Sequence, residues 1–397
     1  MAWADSDYGY KRKITIQNGK VSGDEVDFPI LLSVTYGSLA DTANGGHVQS
    51  SNGYDIVFYD ATETTLLSHE IEEYVNTTGQ LIFWVKINSL SSTLDTIFYM
   101  YYGKAGVAVD PSSTNTWDVN YAMVQHMSDA TSNTILDSTS NDKDGTKQGV
   151  GHPLETSTAK IYEAQHFDGT QDYILLANDS FETQNTGTIE AWIKRDIAAK
   201  DGDCIFSTSV AGVGNLMRLT VFENSGFDLL FQHYKDGVGW NDVINGNTVL
   251  GTGWHHVAIT SDGSHWNFYV DGADDGENVA GGANSGRWFN DLAAGNHVVK
   301  IGSMVYGPAS TSTFFDGIED EVRISSVNRS PNWLSTTFNT EGSPSTFLIV
   351  SGEETSGIAG NLHLLLGLGS GGVQGGARIP HLDMGIGMKR HPRSRVH

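Results

Sequence analysis

A chain of 397 residues with 39% hydrophobic and 18% charged residues has room for two or three domains, and 46 Gly against 8 Pro suits many short strands joined by turns. The net charge of −24 at pH 7 argues against nucleic acid and anionic membrane surfaces as partners, whereas carboxylate-rich loops suit a hard cation such as calcium. A single cysteine, Cys204, excludes an intramolecular disulfide and any zinc site built on several thiolates, leaving it the role of a small buried hydrophobe.

The first residues, MAWADSDYGYKRK, contain no apolar signal-peptide core, and no run approaches membrane-spanning length. The expectation is a mature form carrying an added Met, or a protein that reaches the outside without secretion, as a virion component released by lysis does. From Tyr8 to Gly103 the chain reads as strands with turns every eight to twelve residues: KRKITIQ, FPILLSV, YDIVFYD, LLSHEIEEY, QLIFWVKI and TIFYMYYG. The order of Tyr10-Lys11-Arg12, Asp27-Phe28-Pro29, Asp55-Ile56, Glu70-Ile71-Glu72, Trp84-Val85-Lys86 and Tyr99 to Gly103 resembles a β-sandwich family, domain of unknown function 2341. That resemblance assigns residues 1–110 to a first sandwich and implies no activity.

A linker containing Pro111 spans Lys104 to Thr116, and Trp117, Met123 and His126 lead into a second unit, 117–354. In Thr188 to Lys194 the alternation places Ile189, Ala191 and Ile193 on one face and Glu190 and Trp192 on the other, as in a central strand covered on both sides. Asp271-Gly272 supplies the positive φ angles of a tight hairpin turn. Four blocks together resemble the laminin G-like, concanavalin A-type sandwich: Asp137 to Thr146; His166 to Tyr173 with Thr188 to Ile193; Trp254 to Ala258 with Phe268 to Gly272; and Phe314 to Ser325 followed by Arg329, Ser330 and Trp333. Ser140 stands where the family's first block has Gly. The expected architecture is all-β: two tandem β-sandwiches of jelly-roll type plus a Gly-rich C-terminal tail, 355–397. That tail carries five Lys/Arg against Asp383, about +4, and the equal parity of Leu362, Leu364, Leu366 and Leu368 suits either a strand added to a partner's sheet edge or a disordered appendage.

The stretch FFDGIEDEVRIS concentrates the candidate chemistry. Strict alternation groups Asp320 with Val322 and Ile324, and Glu319 with Glu321 and Arg323. Asp137, Asn141 and Asp144 offer calcium-type oxygen ligands in one loop, and the family resemblance implies that Asp320 completes a structural calcium site with them; the alternative is that these carboxylates cap turns and accept backbone N–H bonds. For sugar, the aromatics set among Gly and Asn are the candidates: Tyr234, Trp240 and Asn241 in one segment, Arg287 and Trp288 in another. Glycoside hydrolysis needs two carboxylates on one face; Glu319 and Glu321 qualify by parity, but Arg323 beside them keeps Glu321 ionised, the wrong state for a general acid. The expected function is therefore non-enzymatic recognition or adhesion, of carbohydrate or of a surface protein, outside the cell or on a virion surface. The alternative is a structural decoration protein that binds neighbouring subunits or further copies of itself through the tail.

Overall fold

The computed structural model describes residues 3–356 except 130–132, 152, 177–180, 199–201, 211–213, 223–225, 238, 293–294, 296 and 307–309. The expectations for the tail, including the Leu362 to Leu368 parity, lie outside the described residues. The alternating apolar runs become two sandwiches. In the first, a five-stranded sheet with spatial order Leu348–Thr355, Tyr10–Ile16, Thr96–Tyr102, Val57–Asp60, Leu66–Leu67 faces a three-stranded sheet ordered Glu25–Thr35, Gln80–Leu90, His69–Val75. Ile14, Phe28, Ile30, Phe83, Phe98 and Met100 fill the space between them.

One boundary differs from the sequence reading. The strand Leu348–Thr355 pairs antiparallel with Tyr10–Ile16, with Ile14 opposite Val350 and Tyr10 opposite Thr355, so it completes the first sandwich and does not belong to the 117–354 unit. The physical reason is the open edge of Tyr10–Ile16, whose other edge is taken by Thr96–Tyr102; the returning chain covers those N–H and C=O groups. The helix Pro331–Gly342 makes that return. Ser330 caps it by accepting from the Trp333 N–H at 3.0 Å, with Pro331 in the first turn. Its threonines satisfy the first sandwich, Thr340 Oγ1 accepting from the Leu31 N–H at 3.1 Å and Thr336 Oγ1 from the Ser22 N–H at 3.0 Å.

The second sandwich packs a nine-stranded sheet, from Asn278–Gly281 at one edge to Thr134–Ile135 at the other, on an eight-stranded sheet centred on Asp316–Ser325 and Gly187–Arg195. Ile189, Ala191 and Ile193 enter its core while Glu190 and Trp192 turn outward, as the alternation predicts. The Asp271-Gly272 turn forms with φ of 50° and 74°; a Cβ on Gly272 would stand 2.7 Å from that of Phe338, so glycine also lets the helix close onto the hairpin.

Strict alternation fails in Asp316–Ser325. Trp192 lies opposite Asp320 and Glu190 opposite Arg323, so both Glu321 and Val322 face Ala191, and Glu321 adopts φ 51°. This β-bulge resets the parity. Glu319, Val322 and Ile324 take the core face, and Asp320 and Arg323 take the outer face, so the grouping of Asp320 with Val322 does not hold. The bulge falls where one neighbouring strand ends and another begins: Ala164–Asp168 pairs as far as Glu319, and Tyr121–Gln125 starts at Val322. Asp320 fills that gap, its Oδ2 accepting from the N–H of Lys160 at 2.8 Å and of Ile161 at 2.9 Å. Replacing Asp320 with Ala leaves two buried donors without an acceptor and lowers unfolding stability by about 2–4 kcal/mol; Asp320→Asn, which still accepts, costs clearly less. Urea denaturation of both variants checks this, and equal losses would remove the anchoring role.

Candidate ligand-binding site

The acids of FFDGIEDEVRIS separate in three directions. Glu319 points into the core, fully buried, with neither carboxylate oxygen hydrogen-bonded. Burial, with Asp203 nearby, raises its carboxyl well above the usual range. Glu321 instead lies between the two sandwiches, 2.6 Å from Arg323 Nη2 and 2.9 Å from His126 Nδ1. Burial opposes its charge, but His126 and Arg323 outweigh that and lower its pKa. Glu319 and Glu321 thus share no face and form no hydrolytic pair. The Glu321–Arg323 pair, which alternation alone would leave on an exposed face, is fully enclosed.

The four residues expected to hold calcium fall into two places. Asp137 Oδ1 accepts from the N–H groups of Val124 and Thr139 at 2.9 and 3.0 Å, and its Oδ2 from Thr139 Oγ1 and the Lys143 N–H at 2.9 and 2.8 Å. Asp144 Oδ1 accepts from the Asp137 N–H at 2.8 Å, and the Asn141 amide donates to the Tyr121 carbonyl at 3.0 Å. Asp320 is engaged elsewhere, by Lys160 and Ile161. Asp137 and Asp144 thus accept from backbone N–H groups of their own loop, Asn141 ties that loop to Tyr121, and Asp320 anchors residues 160 and 161.

The five sugar-site residues also divide. In the nine-stranded sheet Tyr234 lies opposite Asn241, and His233 opposite Asp242. Phe231 and Ile244 mark the core face, so Gln232, Tyr234 and Asn241 share the outer face, where Gln232 Nε2 donates to Asn241 Oδ1 at 2.7 Å. Arg287 is ion-paired with Asp242, which also accepts from Ser285 Oγ at 2.7 Å. Trp288 is not a surface aromatic: it is fully buried, with its ring centroid 5.7 Å from that of Phe231 in a stacked geometry. The Gly and Asn around it serve a loop that folds its indole inward. Trp240 opens its strand opposite Lys235, and its side chain lies outside the described ones.

Two clefts open where the sandwiches meet. One, of about 410 Å³, is lined by Asp27, Lys86, Asn115, Asp118, Asn120 and Asn141, among others; Asp118 is held there by Arg329 at 2.6 Å, and the aromatic rings at its floor, Trp117 and Tyr121, are buried. The second, of about 140 Å³, is lined by Glu70, Glu72, His126, Ser128, Asp129 and Ser138, together with Ile71 and Leu136. Sequence reasoning missed this group. Glu70 and Glu72 read as ordinary polar positions of a strand, and only the docking of the second sandwich buries them beside Trp84, Trp117 and His126.

Residues 168–335 match the concanavalin A-like lectin/glucanases superfamily, and residues 52–143 match the domain of unknown function 2341. No curated protein matches the chain. Among solved structures, domain 4 of the extracellular arabinanase AbnA from Geobacillus stearothermophilus, in complex with arabinotriose, is similar at 16% identity and a TM-score of 0.43, covering 55% of this chain and 98% of that one. The carbohydrate-binding module of the Ruminococcus gnavus IT-sialidase, bound to sialyllactose, is similar at 13% identity and a TM-score of 0.35, over 40% of this chain and 85% of that one. A pentraxin of Limulus polyphemus is similar at 16% identity and a TM-score of 0.31, over 39% of this chain and 70% of that one. No helix among the described residues is long and apolar enough to cross a membrane.

Trp288→Ala opens a cavity in the second core and costs about 3–5 kcal/mol of stability, whereas Tyr234→Ala on the outer face costs under about 1 kcal/mol; thermal denaturation of the two variants checks the assignment. Burial lowers the His233 pKa to about 4, below the unfolded value of about 6.5. The unfolded chain therefore takes up that proton first, so stability held above pH 6.5 is lost as pH falls toward 4, amounting to about 2 kcal/mol by pH 5. His233→Gln should flatten this part of a stability–pH curve, and an NMR titration of the wild-type ring should show no protonation at pH 5.5.

Proposed function

We propose that the protein is a non-enzymatic recognition module that binds carbohydrate on the outer face of the nine-stranded sheet. The observation that carries this reading is the grouping of Tyr234 with the amides of Gln232 and Asn241 on that face. A phenol ring can cover the apolar face of a pyranose, and neighbouring amides match the donor and acceptor pattern of its vicinal hydroxyls. The match of residues 168–335 to a superfamily named for lectins and glucanases supports the ligand class. The separation of Glu319 from Glu321 supports binding over hydrolysis. The polar cleft of about 410 Å³ is a weaker choice, because its aromatic rings are buried and present no stacking surface.

The setting we propose is an exposed surface, of a cell or of a virion, where a strongly acidic body stays soluble and avoids nucleic acid. On a glycan array the full chain should bind a restricted set of sugars, with Tyr234→Ala and Asn241→Ala each weakening binding about 10-fold or more at unchanged melting temperature. Unchanged binding in both variants would move the site elsewhere. No binding to any sugar, with co-sedimentation on assembled particles, would favour the decoration role.

A further inference from the structure

The smaller cleft between the sandwiches holds a donor set that the hydrogen-bond network does not use up. His126 Nδ1 stands 2.9 Å from Glu321 Oε1 and 3.7 Å from Glu72 Oε2, and one ligand atom from each of the three residues lies within 4.8 Å of the others. The Glu72 side chain is 1% exposed, yet its Oε1 has no hydrogen-bond partner. An unpartnered carboxylate oxygen this deeply enclosed is costly unless something else satisfies it. The residues come from three separate segments: Glu72 from His69–Val75, His126 from the end of Tyr121–Gln125, and Glu321 from the bulge. The left-handed φ of Glu321 is what turns its carboxylate toward the other two.

From this geometry we infer that Glu72, His126 and Glu321 form a binding site for one divalent first-row transition ion, with zinc the best match to one imidazole and two carboxylates. The 2.9 and 3.7 Å separations bracket the ~3.3–3.6 Å between ligand atoms that zinc bond lengths of ~2.0–2.2 Å imply in a tetrahedral site, and an imidazole in the set selects against calcium. The surroundings are those of a built site. Trp84 Nε1 donates to Glu72 Oε2 at 2.8 Å and Arg323 Nη2 to Glu321 Oε2 at 2.6 Å, orienting both carboxylates. Glu70 Oε2 stands 3.5 Å from His126 Nε2, and Glu70 is itself fixed by Trp117 Nε1 and Ser138 Oγ, each at 2.6 Å. A carboxylate behind a ligating histidine orients the ring and strengthens it as a donor. Three carboxylates, Glu70, Glu72 and Glu321, surround one imidazole, and Arg323 pairs with Glu321 alone among them, so a dication would give Glu72 a cationic partner beyond His126. Glu72 and His126 also line the cleft of about 140 Å³, which leaves room for a water or a further ligand. An ion here ties the first sandwich to the second and sets their junction.

The test uses the full chain stripped with EDTA and then dialysed against zinc chloride, with metal content and calorimetry as readouts. The expected result is one tight zinc per chain, weakened more than about 100-fold in Glu72→Gln and in His126→Gln and unchanged in Glu155→Gln. Zinc on exposed histidines appears only as weaker binding common to all variants. No tight zinc in the wild type, or tight zinc retained in both site variants, overturns the proposal. Because a site variant can lose its fold, zinc is also titrated into labelled wild-type protein: shifts of the His126 ring nitrogens with His233 unmoved support the site, and shifts confined to other histidines overturn it.

Discussion

A guanidinium cut off from water organises the junction on which this protein depends. Arg323 is 1% exposed, stands 4.7 Å over the Trp84 ring and 5.2 Å over Trp117, and is ion-paired with Glu321 and Glu341. Enclosing such a charge costs several kcal/mol unless partners surround it closely. Here the partners come from different places: Glu321 from its own strand, Glu341 from the return helix, and the two indoles from the first sandwich and the segment that follows it. Removing any one leaves a buried charge poorly matched, so the network selects one relative placement of the sandwiches and disfavours others. Trp192 extends it, donating to Glu341 at 2.6 Å and stacking on Phe338 of the same helix.

This junction decides which surfaces remain for a ligand. The outer face of the eight-stranded sheet carries Glu190, Trp192, Asp320 and Arg323, and all four are buried beneath the helix and the first sandwich. A polar face that alternation would leave in water is spent on docking. The outer face of the opposite, nine-stranded sheet, which carries Gln232, Tyr234 and Asn241, takes no part in that docking. The apolar cores stay distinct: Trp117, Tyr121, Val124 and Trp333 join the first, although none of the four lies on a strand of the first sandwich, while Ile189, Val322 and Ile324 join the second.

The two-sandwich, all-β architecture was legible because period-two alternation and turn residues are local signals. The inward face of Thr188 to Lys194 and the Asp271-Gly272 turn were read correctly on that basis. The candidate site was legible only in part. Tyr234 and Asn241 were brought onto one face by a short hairpin register, whereas Trp288 was misplaced because its polar neighbours say nothing about the direction of the indole. Glu70, Glu72 and His126 were named only as fold markers, and not as a site, for the same reason: their environment is supplied by Glu321, roughly 200 residues or more away in sequence.

What the sequence determined by itself were the strands, most turns, the two sandwiches and the acidic character of the body, since each follows from residue type at short spacing. Only the tertiary structure decided the pairing of Leu348–Thr355 with the first strand, the bulge at Glu321 and the fate of the FFDGIEDEVRIS acids. A bulge inserts one residue and reverses the parity of those beyond it, and it is fixed by strands that end and begin beside it. Whether a carboxylate there meets core, backbone donors or an arginine depends on what packs against that strand from distant parts of the chain.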